Sequence, residues 1–290
     1  MSLPILGGLK ELPDRYQGCI IDLWGVIHDG ITPYPGAIDA LTRLKASGRR
    51  VVMLSNAPRR SAAVIALMDE LGIARELYLD IVTSGEAVYE EITTGRDPWF
   101  RCLGRRCLHV GGPRDRDLFV GLDLDLVKAP SDAQFLLVTG PEEADATVED
   151  FAPLLREARA LDLPLVCANP DLVVIHCGRP MICAGSLALF YEELGGDVRY
   201  RGKPDPAIYD VCLARLGLDR SRVIAIGDGF PTDVAGARAA GLDCLFCTGG
   251  IHAEEIGTRY GERPDPDRLE AAILHHGGLR PAAAIGGFVW

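Results

Sequence analysis

The chain alternates short apolar runs with longer amphipathic stretches. The apolar run CIIDL at 19–23 precedes a helix-like PGAIDALTRLKASG, and VVMLS at 51–55 precedes RRSAAVIALMDELG. The pattern returns with RVIAIGD at 222–228 and DCLFC at 243–247, which flank a helix-like TDVAGARAAG. Strands that alternate with helices build parallel sheets, so we expect an α/β protein with a parallel-sheet core.

The middle of the chain, from about residue 82 to residue 181, contains its own set of predicted strands and a predicted helix. It holds the strand-like runs LHVGG, AQFLLVTG, LPLVCANP and DLVVIHC together with the helix-like VEDFAPLLREARALD. Roughly 100 residues are enough for a small domain, so we predict a second α/β domain in this region.

The composition excludes several classes of protein. Hydrophobic residues make up 48% of the 290 residues, which excludes wholesale disorder. The 30 Lys+Arg and 41 Asp+Glu residues give a formal charge of −11, which opposes sequence-independent binding to nucleic acid. No run approaches the roughly 18 apolar residues of a membrane span, and the first residues lack a signal-peptide pattern. We expect a cytoplasmic protein with no nucleic-acid and no membrane partner.

Polar side chains stand at the ends of predicted strands, where open parallel sheets gather their ligands. They are Asp22 after CII, Ser55 and Asn56 after VVML, Lys203 in RGKPDPAIY, and Asp228 with Asp233 in GDGFPTD.

These residue types suit phosphoryl transfer. Asp22 can act as a nucleophile or as a metal ligand, and Asp228 and Asp233 can meet it across a hard cation such as Mg²⁺, which prefers oxygen ligands. Ser55 and the backbone N–H groups that follow it at a helix start can hold an anion. Lys203 would neutralise charge on that anion. The set predicts phosphoryl transfer to Asp22.

Each of these residues alone also has a purely structural interpretation. An Asp after a strand often caps a helix, Ser-Asn before a helix is a common cap, and Asp233 could cap a helix that begins at Val234. Their occurrence together at several strand ends favours the chemical interpretation. The glycine-rich turn at 227–233 is not a dinucleotide fingerprint, because Thr232 stands at the third glycine position.

With these motifs the chain resembles the haloacid dehalogenase superfamily of aspartate-nucleophile hydrolases. The matching segments are DLWGV at 22–26, LSNAP at 54–58, GKPDPAIY at 202–209 and GDGFPTDVAGARAAG at 227–241. The long insertion with CANPD at 167–171 is similar to the large α/β cap of the subgroup that includes N-acetylglucosamine-phosphate, p-nitrophenyl phosphate and phosphoglycolate phosphatases. The resemblance implies a Rossmann-like core at 1–81 and 182–290, interrupted by a cap domain at 82–181.

The resemblance also implies roles for individual residues. Asp22 becomes the catalytic nucleophile, Lys203 the charge stabiliser, and Ser55 with Asn56 and Lys203 the phosphate-binding group. Mg²⁺ would be held by Asp22, Asp228, Asp233 and the backbone carbonyl of Trp24. The implied substrate is a small phosphorylated metabolite, and members of the subgroup often form homodimers through the cap.

One position departs from the family pattern. Its phosphatases read DxDG, in which the second Asp protonates the leaving oxygen and then activates water; here that position is Trp24. Loss of a positioned acid/base costs about 10²- to 10⁴-fold in rate, and indole has no proton to exchange at pH 7.

Three hypotheses explain the presence of Trp24 at the position of the usual acid/base. The first is a phosphatase for acyl or aryl phosphates, whose leaving groups need no proton, with His28 or Asp29 as a surrogate acid/base. The second is a non-phosphoryl hydrolase similar to the dehalogenases or phosphonate hydrolases. The third is a phosphometabolite-binding protein with weak activity. Metal dependence separates them, because dehalogenation needs no Mg²⁺.

Substrate specificity in a capped hydrolase comes from groups on the cap. Asn169, Asp171 and Arg179 are the candidates here, although NPD also suits a simple turn. Arg59 and Arg60 are candidates for a second anionic group, or are solvated at a helix start.

Overall fold

The computed structural model describes residues 3–176 and 179–290. Its strands are β1 (Ile5–Leu6), β2 (Gly18–Asp22), β3 (Arg50–Ser55), β4 (Asp80–Thr83), β5 (Arg106–Gly111), β6 (Asp125–Val127), β7 (Phe135–Gly140), β8 (Leu165–Cys167), β9 (Val173–His176), β10 (Arg179–Ile182), β11 (Val198–Tyr200), β12 (Val223–Gly227), β13 (Asp243–Cys247) and β14 (Ala283–Ile285).

The helices alternate with these strands along the chain. They are α1 (Ala37–Ala46), α2 (Ser61–Glu70), α3 (Ser84–Thr94), α4 (Pro98–Arg101), α5 (Val148–Ala160), α6 (Ala184–Glu193), α7 (Pro206–Leu216), α8 (Ala235–Ala239), α9 (Ala253–Ile256) and α10 (Pro266–His275). No helix within the described residues is long and apolar enough to span a membrane.

The chain divides into two compact units. The first comprises Met1–Ser55, Ile65–Val82 and Lys203–Trp290, and the second comprises Asn56–Val64 and Thr83–Gly202.

The first unit is built on a seven-stranded sheet. The strand order is β1-β14-β13-β12-β2-β3-β4, and the pairings of β2 with β3 and with β12 are parallel. All five residues of β2 and of β12 are buried, as expected for parallel strands covered on both faces. The prediction of a parallel-sheet α/β core is confirmed.

Helix α1 shows how the helices of this unit cover the sheet. Its buried residues are Ala37, Ala40, Leu41 and Leu44, a spacing that places them on one face of the helix. This face packs toward β3. Residues of the opposite face, such as Ile38, are exposed.

The second unit has a separate parallel sheet in the order β11-β8-β7-β5-β6. Side chains alternate between its two faces: Leu136 and Val138 of β7 belong to one buried cluster, and Phe135 and Leu137 belong to another. An antiparallel pair, β9 and β10, completes the unit.

Residues 182–202 lie in the second unit, whereas the sequence analysis assigned them to the core. The reason is strand pairing, because β11 is hydrogen-bonded to β8. Helix α6 also packs there: Leu187 and Tyr191 are fully buried in a cluster of the second unit, and the Tyr191 hydroxyl donates to the Leu163 carbonyl at 2.6 Å. Residues 56–64 are likewise grouped with this unit.

The packing of α1 gives a direct test of the core. Leu41 is fully buried and Ile38, on the same helix, is 36% exposed. We expect Leu41→Ala to lower the free energy of unfolding by about 3 kcal/mol, since it loses buried apolar surface and leaves a cavity. Ile38→Ala is the control and should cost less than about 1 kcal/mol. Equal losses in urea titrations of the two variants would contradict this packing.

Candidate active site

Asp22 is the last residue of β2, an interior strand of the seven-stranded sheet that lies between β12 and β3. On one side β3 ends at Ser55, and on the other β12 ends at Gly227, directly before Asp228. These strands run parallel, so their carboxyl ends meet at one edge of the sheet, where ligands bind in folds of this kind. Within the first unit, the structure therefore brings together the strand ends that carry Asp22, Ser55 and Asp228.

Lys203 lies between two of the carboxylates. Its Nζ is 2.7 Å from Asp22 Oδ1 and 2.8 Å from Asp233 Oδ1, and its side chain is only 3% exposed. A single buried ammonium group thus pairs with two carboxylates that are far apart in the sequence, and it fixes their positions.

The turn after β12 carries Asp228 and Asp233 and orients both carboxylates. Phe230–Val234 forms one turn of π-helix, a form that recurs at functional sites. Within it, Asp233 Oδ2 accepts hydrogen bonds from the Gly229 N–H at 3.1 Å and the Thr232 hydroxyl at 3.3 Å. Asp228 Oδ2 accepts from the Ile251 N–H at 2.7 Å. Each carboxylate therefore has a defined orientation.

The three carboxylates form a compact anionic group. Asp22, Asp228 and Asp233 each offer an oxygen within 4.8 Å of the others, and all three residues are buried. Burial raises the pKa of Asp22 well above its ordinary value; Lys203 opposes this rise, and Asp233 and Asp228 add to it. Three carboxylates and one ammonium sum to −2, so the donors fit a divalent, oxygen-ligated cation such as Mg²⁺ in both charge and chemistry.

The backbone approaches these acids closely. Gly25 has a φ of +81°, and a Cβ at this position would lie 1.9 Å from Asp228 Oδ2. A Cβ at Gly250 would lie 2.0 Å from the same oxygen. Only glycine at both positions leaves room for the Asp228 carboxylate.

Trp24 occupies the position where the family pattern has its second acid. Its indole lies against the backbone of Gly30, where a Cβ would be 2.2 Å from the ring. The ring also makes an edge contact with His28, with centroids 5.6 Å apart. The indole therefore packs against its own loop, and it carries no group that can exchange a proton near pH 7.

His28 and Asp29 are engaged in the turn that follows. His28 is buried, its Nδ1 accepts from the Gly30 N–H at 2.9 Å, and burial lowers its pKa to about 4. Asp29 Oδ1 accepts from the N–H groups of Ile31 and Thr32 at 2.9 and 2.8 Å. Although slight burial acts against them, these bonds lower the pKa of Asp29. Both residues have structural partners, and a surrogate acid/base role for either stays a prediction.

The remaining predicted residues belong to the second unit. Asn56 Nδ2 donates to Asp171 Oδ1 at 2.8 Å, and the Asp171 N–H donates to Asn169 Oδ1 at 3.1 Å, so these three form one hydrogen-bonded group. Arg179 begins β10 and is exposed.

Arg59 and Arg60 are each paired with an acid inside the second unit. Arg59 Nε is 3.3 Å from Asp115 Oδ1, and Arg60 Nε is 2.9 Å from Glu86 Oε2. The paired guanidinium groups already have anionic partners within the protein.

Comparison with known proteins assigns the family. A model of haloacid dehalogenase-like hydrolases matches residues 19–125, and a second, described as HAD-hydrolase-like, matches residues 200–269. The crystal structure of a haloacid dehalogenase-like hydrolase from Brucella suis 1330 is 36% identical, covers 97% of this chain and 99% of its own, and superposes with a TM-score of 0.82.

The chain belongs to the haloacid dehalogenase-like hydrolases. D-glycerol 3-phosphate phosphatase of Mycobacterium tuberculosis is 28% identical over 84% of this chain, which spans 66% of that relative's length. A structure of the mycobacterial glycerol phosphate phosphatase in complex with magnesium is 25% identical, covers 88% of this chain and 76% of its own, and has a TM-score of 0.62. These relatives confirm the predicted enzyme class, a phosphoric monoester hydrolase of this family.

Sequence reasoning missed contacts that this haloacid dehalogenase-like site makes through the backbone. The Ile251 N–H holds Asp228, and Gly25 and Gly250 give that carboxylate its space. The sequence feature that could have indicated them is the placement of GG at 249–250, shortly after the end of β13, as Asp22 and Asp228 stand at the ends of β2 and β12.

Gly25 supplies a test of the Asp228 environment. Gly48 has a similar φ of +79° but open space around it, so Gly48→Ala measures backbone strain alone, about 1 kcal/mol. We expect Gly25→Ala to lower the free energy of unfolding by about 2 kcal/mol more than this, because its Cβ collides with Asp228. Equal losses for the two variants in urea titrations would show that Asp228 does not pack against Gly25.

Proposed function

We propose that this chain is a Mg²⁺-dependent phosphatase that acts on a small phosphorylated metabolite through an aspartyl-phosphate at Asp22. The observation that carries the proposal is the buried group of Asp22, Asp228 and Asp233 around the Lys203 ammonium. Such a group is poorly explained as a stabilising device, because burying excess negative charge is costly.

Asp22 is the proposed nucleophile because it ends the interior strand β2 and one of its oxygens is held by Lys203. An Asp22 oxygen forms a bond to phosphorus as the bond between phosphorus and the ester oxygen breaks. Water then hydrolyses the aspartyl-phosphate, which releases phosphate and restores the carboxylate. Lys203 favours the ionised form of Asp22 and offsets negative charge that gathers during transfer.

The metal ligands are proposed to be Asp22, Asp228, Asp233 and the backbone carbonyl of Trp24. Bound Mg²⁺ would supply positive charge that lets the carboxylates stay ionised beside an anionic substrate. Ser55 ends the strand next to that of Asp22 and is the proposed phosphate ligand in this unit. Asn56 as a second phosphate ligand stays a prediction.

Trp24 restricts the proposed substrate class. An alkyl phosphate releases a basic alkoxide that needs a proton, and Trp24 cannot supply one. Acyl and aryl phosphates release stable anions without protonation. We therefore propose that the wild-type chain turns over acyl and aryl phosphates faster than sugar phosphates. Asn169, Asp171 and Arg179 of the second unit remain the proposed specificity residues.

A second candidate function follows from the same residue. A chain that binds phosphometabolites but turns them over weakly would also carry Trp24 in place of an acid. Dehalogenase-like chemistry is less well supported, because the three metal-type carboxylates would then have no role.

The test measures phosphate release from p-nitrophenyl phosphate, acetyl phosphate and a panel of sugar phosphates, with and without Mg²⁺. We expect Mg²⁺-dependent turnover by the wild type and a loss of about a thousandfold or more in Asp22→Asn, because the nucleophile is removed. Asp14→Asn, which changes a fully exposed carboxylate, is the matched control and should keep wild-type activity. Turnover that survives Asp22→Asn would contradict the nucleophile assignment.

Replacement of Trp24 tests the leaving-group argument. Trp24→Asp should raise the rate on sugar phosphates relative to acetyl phosphate by about 10²-fold, because a titratable acid is introduced. Trp24→Asn removes the same bulk without adding an acid and should not. If both variants behave alike, Trp24 acts through its size and not through the absence of a proton. A wild type that binds phosphate esters without turnover would favour the binding function.

A further inference from the structure

A group of histidines surrounds Glu255 in the first unit, apart from the three carboxylates. The histidine cluster consists of His252, Glu255, His275 and His276. It joins residues from the start and interior of the α9 region to residues at the end of α10. No role in phosphoryl transfer has been assigned to these residues.

The ring nitrogens of the histidine cluster converge on one carboxylate. Glu255 Oε2 is 2.8 Å from His252 Nδ1 and 3.0 Å from His276 Nε2. Glu255 Oε1 is 3.2 Å from His275 Nδ1. Ligand atoms of His252, Glu255 and His276 all lie within 4.8 Å of one another.

We propose that the histidine cluster is a binding site for a zinc ion. His252, Glu255 and His276 would supply three ligands, and water would fill the fourth position, because His275 contacts only the other oxygen of Glu255. Nitrogen and carboxylate ligands at bond lengths of about 2.0–2.2 Å are those of zinc sites, and four of them in a tetrahedron lie about 3.3 Å apart. Glu255 Oε2 lies 2.8 Å from His252 Nδ1 and 3.0 Å from His276 Nε2, so these two separations need to open by only a few tenths of an ångström, and the ligand atoms of all three residues lie within 4.8 Å of one another.

Aromatic packing holds the rings of the histidine cluster in place. His276 stacks on the fully buried Phe230, with centroids 4.6 Å apart and planes 17° from parallel. His252 meets the His276 ring at a centroid distance of 4.6 Å and an angle of 71°. Ligands fixed in this way lose little conformational freedom when an ion binds.

The electrostatic surroundings also suit a cation. His275 and His276 stand at the C-terminus of the ten-residue helix α10, where the helix dipole favours positive charge. Burial lowers the pKa of His252, which favours the neutral form of the ring that binds metals. His275 is 76% exposed, which gives an ion a route from solvent.

Zinc binding has one identifiable cost. His252 Nε2 is 3.5 Å from the Phe230 N–H, a contact at the long limit of a hydrogen bond. Coordination through Nδ1 would move the proton of this ring to Nε2 and give that contact up. The loss of so long a contact is small beside the formation of a metal bond.

The chemistry of the two clusters differs, and the difference makes the proposal testable. Mg²⁺ prefers oxygen ligands, whereas imidazole nitrogens favour zinc and neighbouring transition metals. Excess Mg²⁺ should therefore occupy the Asp22, Asp228 and Asp233 group and leave the histidine cluster open. The test of the zinc site needs no substrate, so its outcome does not depend on whether the chain is an active phosphatase.

The experiment titrates Zn²⁺ into metal-stripped full-length protein in excess Mg²⁺, by calorimetry. We expect one zinc ion per wild-type chain and a loss of affinity of about tenfold or more in Glu255→Gln. The neighbouring Glu254→Gln, on the same short helix, is the matched control and should bind as the wild type does. Co²⁺ bound in place of zinc should show the intense visible absorption of a four-coordinate ion.

Several results would overturn the zinc site. These are no Zn²⁺ binding by the wild type, equal affinity in wild type and Glu255→Gln, or the weak spectrum of six-coordinate Co²⁺. Loss of Zn²⁺ binding in Asp22→Asn would place the ion among the carboxylates and would also refute the proposal. Circular dichroism checks the folding of each variant; if Glu255→Gln fails to fold, His276→Gln replaces it and must weaken Zn²⁺ binding.

Discussion

The Lys203 ammonium group, 2.7 Å from Asp22 and 2.8 Å from Asp233, is the interaction on which the rest of the site depends. It joins the end of strand β2, the turn after β12 and the segment before α7. Removal of one member of such a buried pair leaves an uncompensated charge, which is strongly destabilising. The parallel sheet brings the ends of β2 and β12 together, and Lys203 fixes the positions of Asp22 and Asp233 by pairing with both carboxylates.

The positive charge of Lys203 does not neutralise the three carboxylates by itself. Three buried carboxylates against one ammonium leave an excess of negative charge, and the Ile251 N–H and the glycines at 25 and 250 hold Asp228 in this unfavourable group. The proposed divalent cation would account for both the charge and the oxygen donors. In this proposal the backbone carbonyl of Trp24 would still contribute to metal binding, while its indole side chain cannot transfer a proton.

The core strands and the acids of the candidate site could be predicted from the sequence, because both are local patterns along the chain. Strands β2, β3, β12 and β13 are short apolar runs, and the acids follow them directly. The assignment of α6 and β11 to the second unit could not be predicted, since an amphipathic helix does not specify which sheet it covers. The histidine cluster joins residues about 20 positions apart through tertiary packing alone, which no local pattern reveals.

The buried carboxylates of Asp22, Asp228 and Asp233 are proposed to hold a divalent cation. The most direct measurement is thermal unfolding of metal-stripped protein with increasing Mg²⁺ at constant ionic strength. A ligand that binds only the folded state stabilises it by about 2.7 kcal/mol at a hundredfold excess over its Kd. The wild type should therefore unfold at progressively higher temperature, and Asp228→Asn should respond much less. No Mg²⁺-dependent shift in the wild type, or an equal shift in the variant, would contradict the account.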